Sequence, residues 1–152
     1  MAAVRDSVAI PLAVKIGPHF TSLPNFAMRL AGAGVQGLVL LNRFLEPEMD
    51  IENLAIRPHI ELSHPRELRL TLRWIGILYR QLTLSLAATS GVHDASHLIK
   101  ALLAGANVAM VASTLLRHGP QRIGELLTGL RAWVEAKEFQ STDEMRGLLS
   151  RS

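Results

Sequence analysis

A chain of 152 residues, 49% apolar and 19% charged, has the size and balance of one globular domain. It contains no cysteine, which excludes disulfides and thiolate metal ligands and suits the cytoplasm. Its net charge of +3 is carried by dispersed basic residues rather than a cluster with interleaved aromatics, and no apolar run approaches the roughly 20 residues needed to span a bilayer, so neither nucleic acid nor membrane is an expected partner.

Asp6 comes early, and Pro11 and Lys15 interrupt the apolar stretch that follows, which argues against a secretory signal. The run 12–16 reads as a first short strand with Lys15 inside it. A helical segment ending at Gly32 follows, with that glycine expected to take a positive φ and turn the chain back. Run 37–41 is a second strand, ending in Leu41-Asn42-Arg43. Residues 45–65 break the rhythm: polar, punctuated by proline and long for a strand-to-helix loop, they read as an excursion over the strand ends with a short hairpin near 55–62. Leu68, Leu72, Ile75, Tyr79 and Leu82 then repeat at helical spacing, with Arg69, Arg73 and Arg80 on a solvated face. Run 83–88 is a third strand. Asp94 is placed to cap a helix running through Leu103 and closed by Gly105. Run 108–111 is a fourth strand, and Pro120 sits at the start of a last helix whose stripe Ile123, Leu126, Leu127, Leu130, Trp133 and Val134 is expected against a sheet.

Nearly continuous apolarity in all four runs predicts strands covered on both faces of a parallel sheet. A faint repeat supports a recurring βα unit: Leu30-Ala31-Gly32-Ala33-Gly34-Val35 is echoed 73 residues on by Leu103-Ala104-Gly105-Ala106-Asn107-Val108. Such units with right-handed crossovers build either a doubly wound sheet or a barrel.

In either architecture the loops after the carboxyl ends of the strands line the ligand site. Lys15 there needs a partner or an electron-rich ligand, unless it reaches solvent from the strand end. Asn42 offers a donor and an acceptor to a heterocycle edge, and Arg43 suits a carboxylate or phosphate; equally, both fit a plain turn. Ser90-Gly91 and Ala112-Ser113 are small-residue turns leading toward helices, able to present backbone amides and hydroxyls to a phosphate, or simply to turn the chain. The six histidines form no recognisable metal set: His93 precedes the cap of its helix and so does not share a face with His97, while His19, His59, His64 and His118 read as loop residues. Ser90, His93 and Asp94 are too crowded for a triad, without a nucleophile-elbow motif.

Taken together, Ala13-Val14-Lys15-Ile16-Gly17-Pro18, the run from Gly34 through Arg43, Thr89-Ser90-Gly91-Val92 and the run from Ala104 through Pro120 resemble, in that order, the dihydroorotate dehydrogenase-like family. Arg73-Trp74-Ile75 resembles its divergent branch. The resemblance implies an α/β fold, the C-terminal half of a flavin-binding (β/α)8 TIM barrel: residues 1–152 as a single domain of four parallel βα units, against the about 250 residues of a full barrel, with the first four units of the family fold absent. It implies an oxidoreductase of pyrimidine biosynthesis that uses flavin mononucleotide (FMN) to oxidise dihydroorotate to orotate, incomplete alone because the catalytic base lies in the other half. No residue of this chain is therefore assigned a catalytic role, and whether the chain is itself an enzyme stays open. Lys15 would lie against the flavin ring, Asn42 at the substrate, and Ser90, Gly91, Ala112 and Ser113 at the flavin phosphate. The family's usual glycine pair is Ser90-Gly91 here, its Gly-Thr is Ala112-Ser113, Arg43 replaces a small hydroxyl residue, and Ser63-His64 stands for its serine-glycine phosphate contact. Completion is expected from a homo-oligomer or from the missing N-terminal half. The alternative is a non-catalytic α/β flavin- or phosphate-binding fragment or split subunit.

Overall fold

The computed structural model describes residues 2–43, 46–59 and 61–150. Its elements follow one another as α1 (Ala2–Ser7), β1 (Ala13–Ile16), α2 (Leu23–Gly32), β2 (Gly37–Leu40), β3 (Glu46–Asp50), β4 (Ala55–His59), α3 (Leu68–Leu78) after a 3-10 turn at Pro65–Glu67, β5 (Ser85–Ala88), α4 (Ala95–Ala104), β6 (Val108–Ala109), α5 (Ser113–His118), α6 (Arg122–Ala136) and α7 (Thr142–Met145). Each of the four apolar runs contains a strand. β1, β2, β5 and β6 lie side by side in that order, every pair parallel. The order never reverses, so this is not a doubly wound sheet with a switch point. It is the progression of a (β/α)8 barrel, carried through four units and not closed.

Register decides which residues share a face. Val14, Leu38 and Leu86 are aligned, as are Ile16, Leu40, Ala88 and Ala109. Ile16, Leu38, Leu40, Leu86 and Ala88 are buried in one apolar cluster with Leu23, Ala27 and Leu30 of α2, Ile75 and Leu78 of α3, and Ala101 and Ala104 of α4. The alternate positions point the other way. On that side Lys15, Val39, Ala87 and Val108 form one row across all four strands, with Lys15 and Val108 exposed. The expectation of strands covered on both faces is therefore corrected: the described residues supply helices for one face, and the other is open. Continuous apolarity records that both faces are built to be buried, without saying what buries the second.

The last helix also departs from expectation. Within α6 only Leu126 of the stripe is buried, while Ile123 and Leu127 are 44% and 52% exposed. Leu130, Trp133 and Val134 pack with Phe139 onto Ile99, Leu102 and Met145, so α6 lies on α4 rather than on the sheet. Pro120 stands in a turn two residues ahead of α6 rather than inside it. No helix of the described residues is long and apolar enough to cross a membrane.

Helix-to-strand junctions carry the repeat, in a different alignment from the one the letters suggest. Gly32 is the last residue of α2, and Gly34 takes the positive φ (83°); after α4 that role falls to Gly105 (116°). The amide of the next residue then reaches back over the helix end, Val35 to the carbonyl of Leu30 (3.2 Å) and Ala106 to that of Ala101 (2.9 Å). One residue later a side-chain amide completes a reciprocal pair with the preceding strand. Gln36 accepts from Leu12 N–H through Oε1 (2.9 Å) and donates its own N–H to Leu12 O (2.9 Å); Asn107 does the same with Leu86 (2.9 and 2.7 Å). Gly34 thus corresponds to Gly105 and Gln36 to Asn107.

The excursion after β2 is a hairpin, longer and earlier than its expected position. β3 and β4 pair antiparallel from Glu46↔His59 to Asp50↔Ala55. Asp50 closes its turn by accepting from the amides of Glu52 (3.1 Å) and Asn53 (3.0 Å) and from Asn53 Nδ2 (2.9 Å), bonds that hold its carboxyl below the usual aspartate value.

Asn107→Ala leaves the amide of the buried Leu86 unpaired, and we expect it to lower the unfolding free energy by about 1–3 kcal/mol. Asn107→Asp keeps the acceptor and should recover most of that loss, measured by denaturant titration.

Candidate functional site at the strand ends

The sheet ladder continues past the ends of β2, β5 and β6, which sets residues of their following loops side by side. Asn42 donates to Ile16 O (2.7 Å), Thr89 to Leu40 O (2.6 Å) and Met110 to Ala88 O (2.8 Å). Beyond this rim lies a cavity of about 150 Å³ lined by Lys15, Asn42, Arg43, Ser63, Thr89, Ser90, Gly91, Val92, Met110, Ala112 and Ser113. All six residues singled out from sequence, Lys15, Asn42, Ser90, Gly91, Ala112 and Ser113, are brought together there. A larger space of about 740 Å³ adjoins it, sharing Asn42, Arg43 and Ser90 and extending to His19, Glu46, His59 and Glu61.

Local backbone chemistry shapes the cradle. Ser90 and Gly91 are consecutive residues with positive φ, 69° and 77°. A Cβ on Gly91 would lie 2.5 Å from the amide nitrogen of Leu68 and 3.1 Å from the carbonyl of His64, so only glycine lets this turn sit against the start of α3. Ser90 holds the left-handed conformation with a side chain, its hydroxyl donating to Leu41 O (3.3 Å). Thr71, buried on α3, donates to Thr89 O (3.2 Å) and fixes the same loop from below.

A third loop enters through Ser63. Its amide donates to Ser113 Oγ (2.8 Å), and its own Oγ lies 3.1 Å from His93 Nε2. The carbonyl of His93 accepts from Thr114 Oγ1 (3.3 Å) and from Arg122 Nε and Nη2 (3.3 and 3.0 Å). Sequence reasoning places His93 only as a loop residue ahead of a helix cap; the signal that identifies it is its place just past a strand's carboxyl end, where loops of a parallel sheet converge. Burial, followed by the nearby Arg117 cation, pushes its imidazole below the usual histidine value, against an opposing hydrogen bond with Ser63.

Two of the groups weighed from sequence are already engaged. Arg43 pairs through Nε with Glu67 (2.7 Å) and donates from Nη1 to Glu61 O. Glu67 in turn accepts from the amide of His64 (2.6 Å). The guanidinium is thereby neutralised at the rim. Asp94 caps α4 as expected, accepting from the amide of His97 (3.0 Å) and the hydroxyl of Ser96 (2.8 Å); burial raises its carboxyl pKa, and these bonds outweigh that and lower it. The start of α4 is therefore answered by its own carboxylate, whereas Ala112 supplies no side-chain cap to α5. His93 faces Ser63 rather than Ser90, so Ser90, His93 and Asp94 form no relay. His59 ends β4 beside Glu61 (3.1 Å) and His118 ends α5, so neither is a loop residue. Among the described residues no three His, Asp or Glu side chains are grouped to hold a metal.

The motif order that suggested a family corresponds to measurable kinship. The chain is 30% identical over 153 positions to the catalytic subunit of dihydroorotate dehydrogenase B (NAD+) of Methanothermobacter thermautotrophicus, covering 97% of this chain and 50% of that protein. The same subunit of Caldicellulosiruptor bescii is 24% identical, with 97% and 50% covered, and that of Desulforudis audaxviator 25% identical, with 98% and 49% covered. The chain spans about half the length of the curated relatives it matches and corresponds to their C-terminal half. No family model matches it.

Two outcomes test this geometry. Gly91→Ala should cost about 2 kcal/mol or more in unfolding free energy, from the left-handed backbone and the contact with Leu68. Since the folded imidazole of His93 titrates below the ordinary value of 6.5, the unfolded chain binds more protons in that interval, and stability should fall as pH drops below about 6.5. Melting temperature against pH should show this slope, diminished in His93→Gln.

Proposed function

On the premise that this chain is the C-terminal half of a dihydroorotate dehydrogenase-type barrel, we propose that it forms one wall of an FMN site and acts in the oxidation of dihydroorotate to orotate when a complementary half closes the barrel. The observation that carries this reading is the gathering of Lys15, Asn42, Ser90, Gly91, Ala112 and Ser113 around one cavity at the strand ends. The residues present fit such a cofactor. A cavity of about 150 Å³ suits its phosphate end, where Gly91 admits no Cβ and the hydroxyls of Ser63 and Ser113 stand beside backbone amides. The open row Lys15, Val39, Ala87 and Val108 offers a flat, largely apolar floor for a ring, with one cation on it.

When bound, the flavin would supply the hydride acceptor. Lys15 would hold its ammonium against the ring and favour the anionic reduced form. Asn42, next to Lys15 along the rim, would orient the substrate through its amide. Arg43 is compensated by Glu67, which leaves Asn42 as this chain's polar contact for the substrate. No side chain here is assigned to remove the substrate proton; that base belongs to the complementary half.

The partner reading draws on exposed apolar surface at both ends of the sheet. Val108 and Met110 at the β6 end are 53% and 44% exposed, and Ile10, just ahead of β1, is 67% exposed. These are the edges on which neighbouring βα units would continue a barrel. Whether the complement is further polypeptide, a separate chain or a second copy arranged as a pseudo-barrel, it must cover this surface. A cytoplasmic location accords with the absence of cysteine. The second reading, a flavin- or phosphate-binding subunit without activity of its own, is favoured by the open sheet face.

Co-expression with the N-terminal half of the Methanothermobacter catalytic subunit should yield a yellow complex that oxidises dihydroorotate. Lys15→Ala should weaken FMN binding roughly tenfold, a loss of about 1.4 kcal/mol, read by fluorescence titration. A complex that stays colourless with excess FMN would refute the flavin assignment; a yellow but inactive one would favour the second reading.

A further inference from the structure

Three loops from distant parts of the chain meet at His93, through hydrogen bonds whose direction matters. Ser113 Oγ already accepts from the amide of Ser63, so its hydroxyl proton is free to turn into the cavity that both serines line. Ser63 Oγ has two options. Facing an unprotonated Nε2, it donates to His93; facing an N–H at Nε2, it accepts, and its proton is released toward the cavity. Ser63 is 5% exposed and His93 9%, so water competes poorly for this bond. Thr114 and Arg122 clamp the His93 carbonyl, which fixes the ring's origin while leaving its nitrogens to act.

We propose that His93 is a positioning residue of the cradle: it orients the hydroxyl of Ser63, and through the Ser63 amide that of Ser113, at an oxyanion held between Ser90-Gly91 and Ala112-Ser113. This rests on the reading that the cradle takes a phosphoryl group. Protonation of His93 makes Ser63 an acceptor from the ring, frees its hydroxyl proton to donate to the anion and adds a positive charge next to the site, so anion binding and imidazole protonation reinforce one another. Burial, Arg117, His97 and His64 oppose that protonation, and a bound anion relieves part of the opposition. Among the described residues Arg122 and Asp94 also lie beside His93, each held by its own partner.

Sulfate is the probe, because it keeps one charge state where a phosphate monoester titrates near about pH 6. With the 152-residue chain, sulfate affinity measured by NMR titration should rise about threefold to tenfold from roughly pH 7.5 to 5.5. Sulfate should in turn raise the titration midpoint of the His93 ring. His93→Gln keeps a donor that does not titrate and should flatten the profile; Ser63→Ala should lose most of the rise; His118→Gln, at the exposed end of α5 and outside the cavity lining, should keep it. A wild-type slope in His93→Gln, or a His93 midpoint that sulfate leaves unmoved, overturns the positioning role alone. Absence of sulfate binding at every pH overturns the cradle itself, and the role with it. Should His93→Gln fail to fold, Ser63→Ala and the wild-type ring titration decide.

Discussion

Parallel pairing in register is the constraint on which this molecule depends. Because β1, β2, β5 and β6 run the same way with their carboxyl ends level, loops separated by dozens of residues in sequence emerge on one rim. Ladder bonds from Asn42, Thr89 and Met110 carry that alignment one or two residues beyond the strands. The site is thus a product of strand direction and register, and helices on the far face hold those strands in place.

What the rim then does is decided by polar links between loops rather than by the sheet. Arg43 joins the end of β2 to Glu67 and to the return of the hairpin, while Ser63 joins the loop leading to α3 to Ser113 and His93. The first link removes a charge from the rim. The second keeps hydroxyls pointing near the cavity. On the proposed reading an anion would be held by Lys15, backbone amides and hydroxyls, with the most obvious arginine withdrawn from it.

Much of this was legible in the sequence for physical reasons that are local. Asp94 announces a cap because a short carboxylate at a helix start has few other uses, and Gly105 ends its helix where a side chain would meet Tyr79. Lys15 stood out because a cation in an apolar run needs explanation. The misses share a different cause. Gly32 and Gly34 are both glycines in one Ala-Gly-Ala-Gly run, and only the length of α2 tells which must turn. The stripe on α6 states that something apolar covers it, and α4 rather than the sheet proved to be that surface. His93 carries no local signature beyond its place in a strand-to-helix loop, since its meaning comes from Ser63 and Arg122, 30 and 29 positions away in the chain.

The amide pairs at Gln36 and Asn107 have a consequence for how faithfully the sheet assembles. Sliding a strand by two residues preserves the alternation of inward and outward side chains, so hydrophobic patterning cannot forbid the mistake. The misleading echo between Leu30–Val35 and Leu103–Val108 is such a two-residue displacement. Each slipped arrangement would separate Gln36 from Leu12 or Asn107 from Leu86 and leave amides without partners. Two carboxamides thereby act as proofreading keys, rejecting errors that the apolar code accepts.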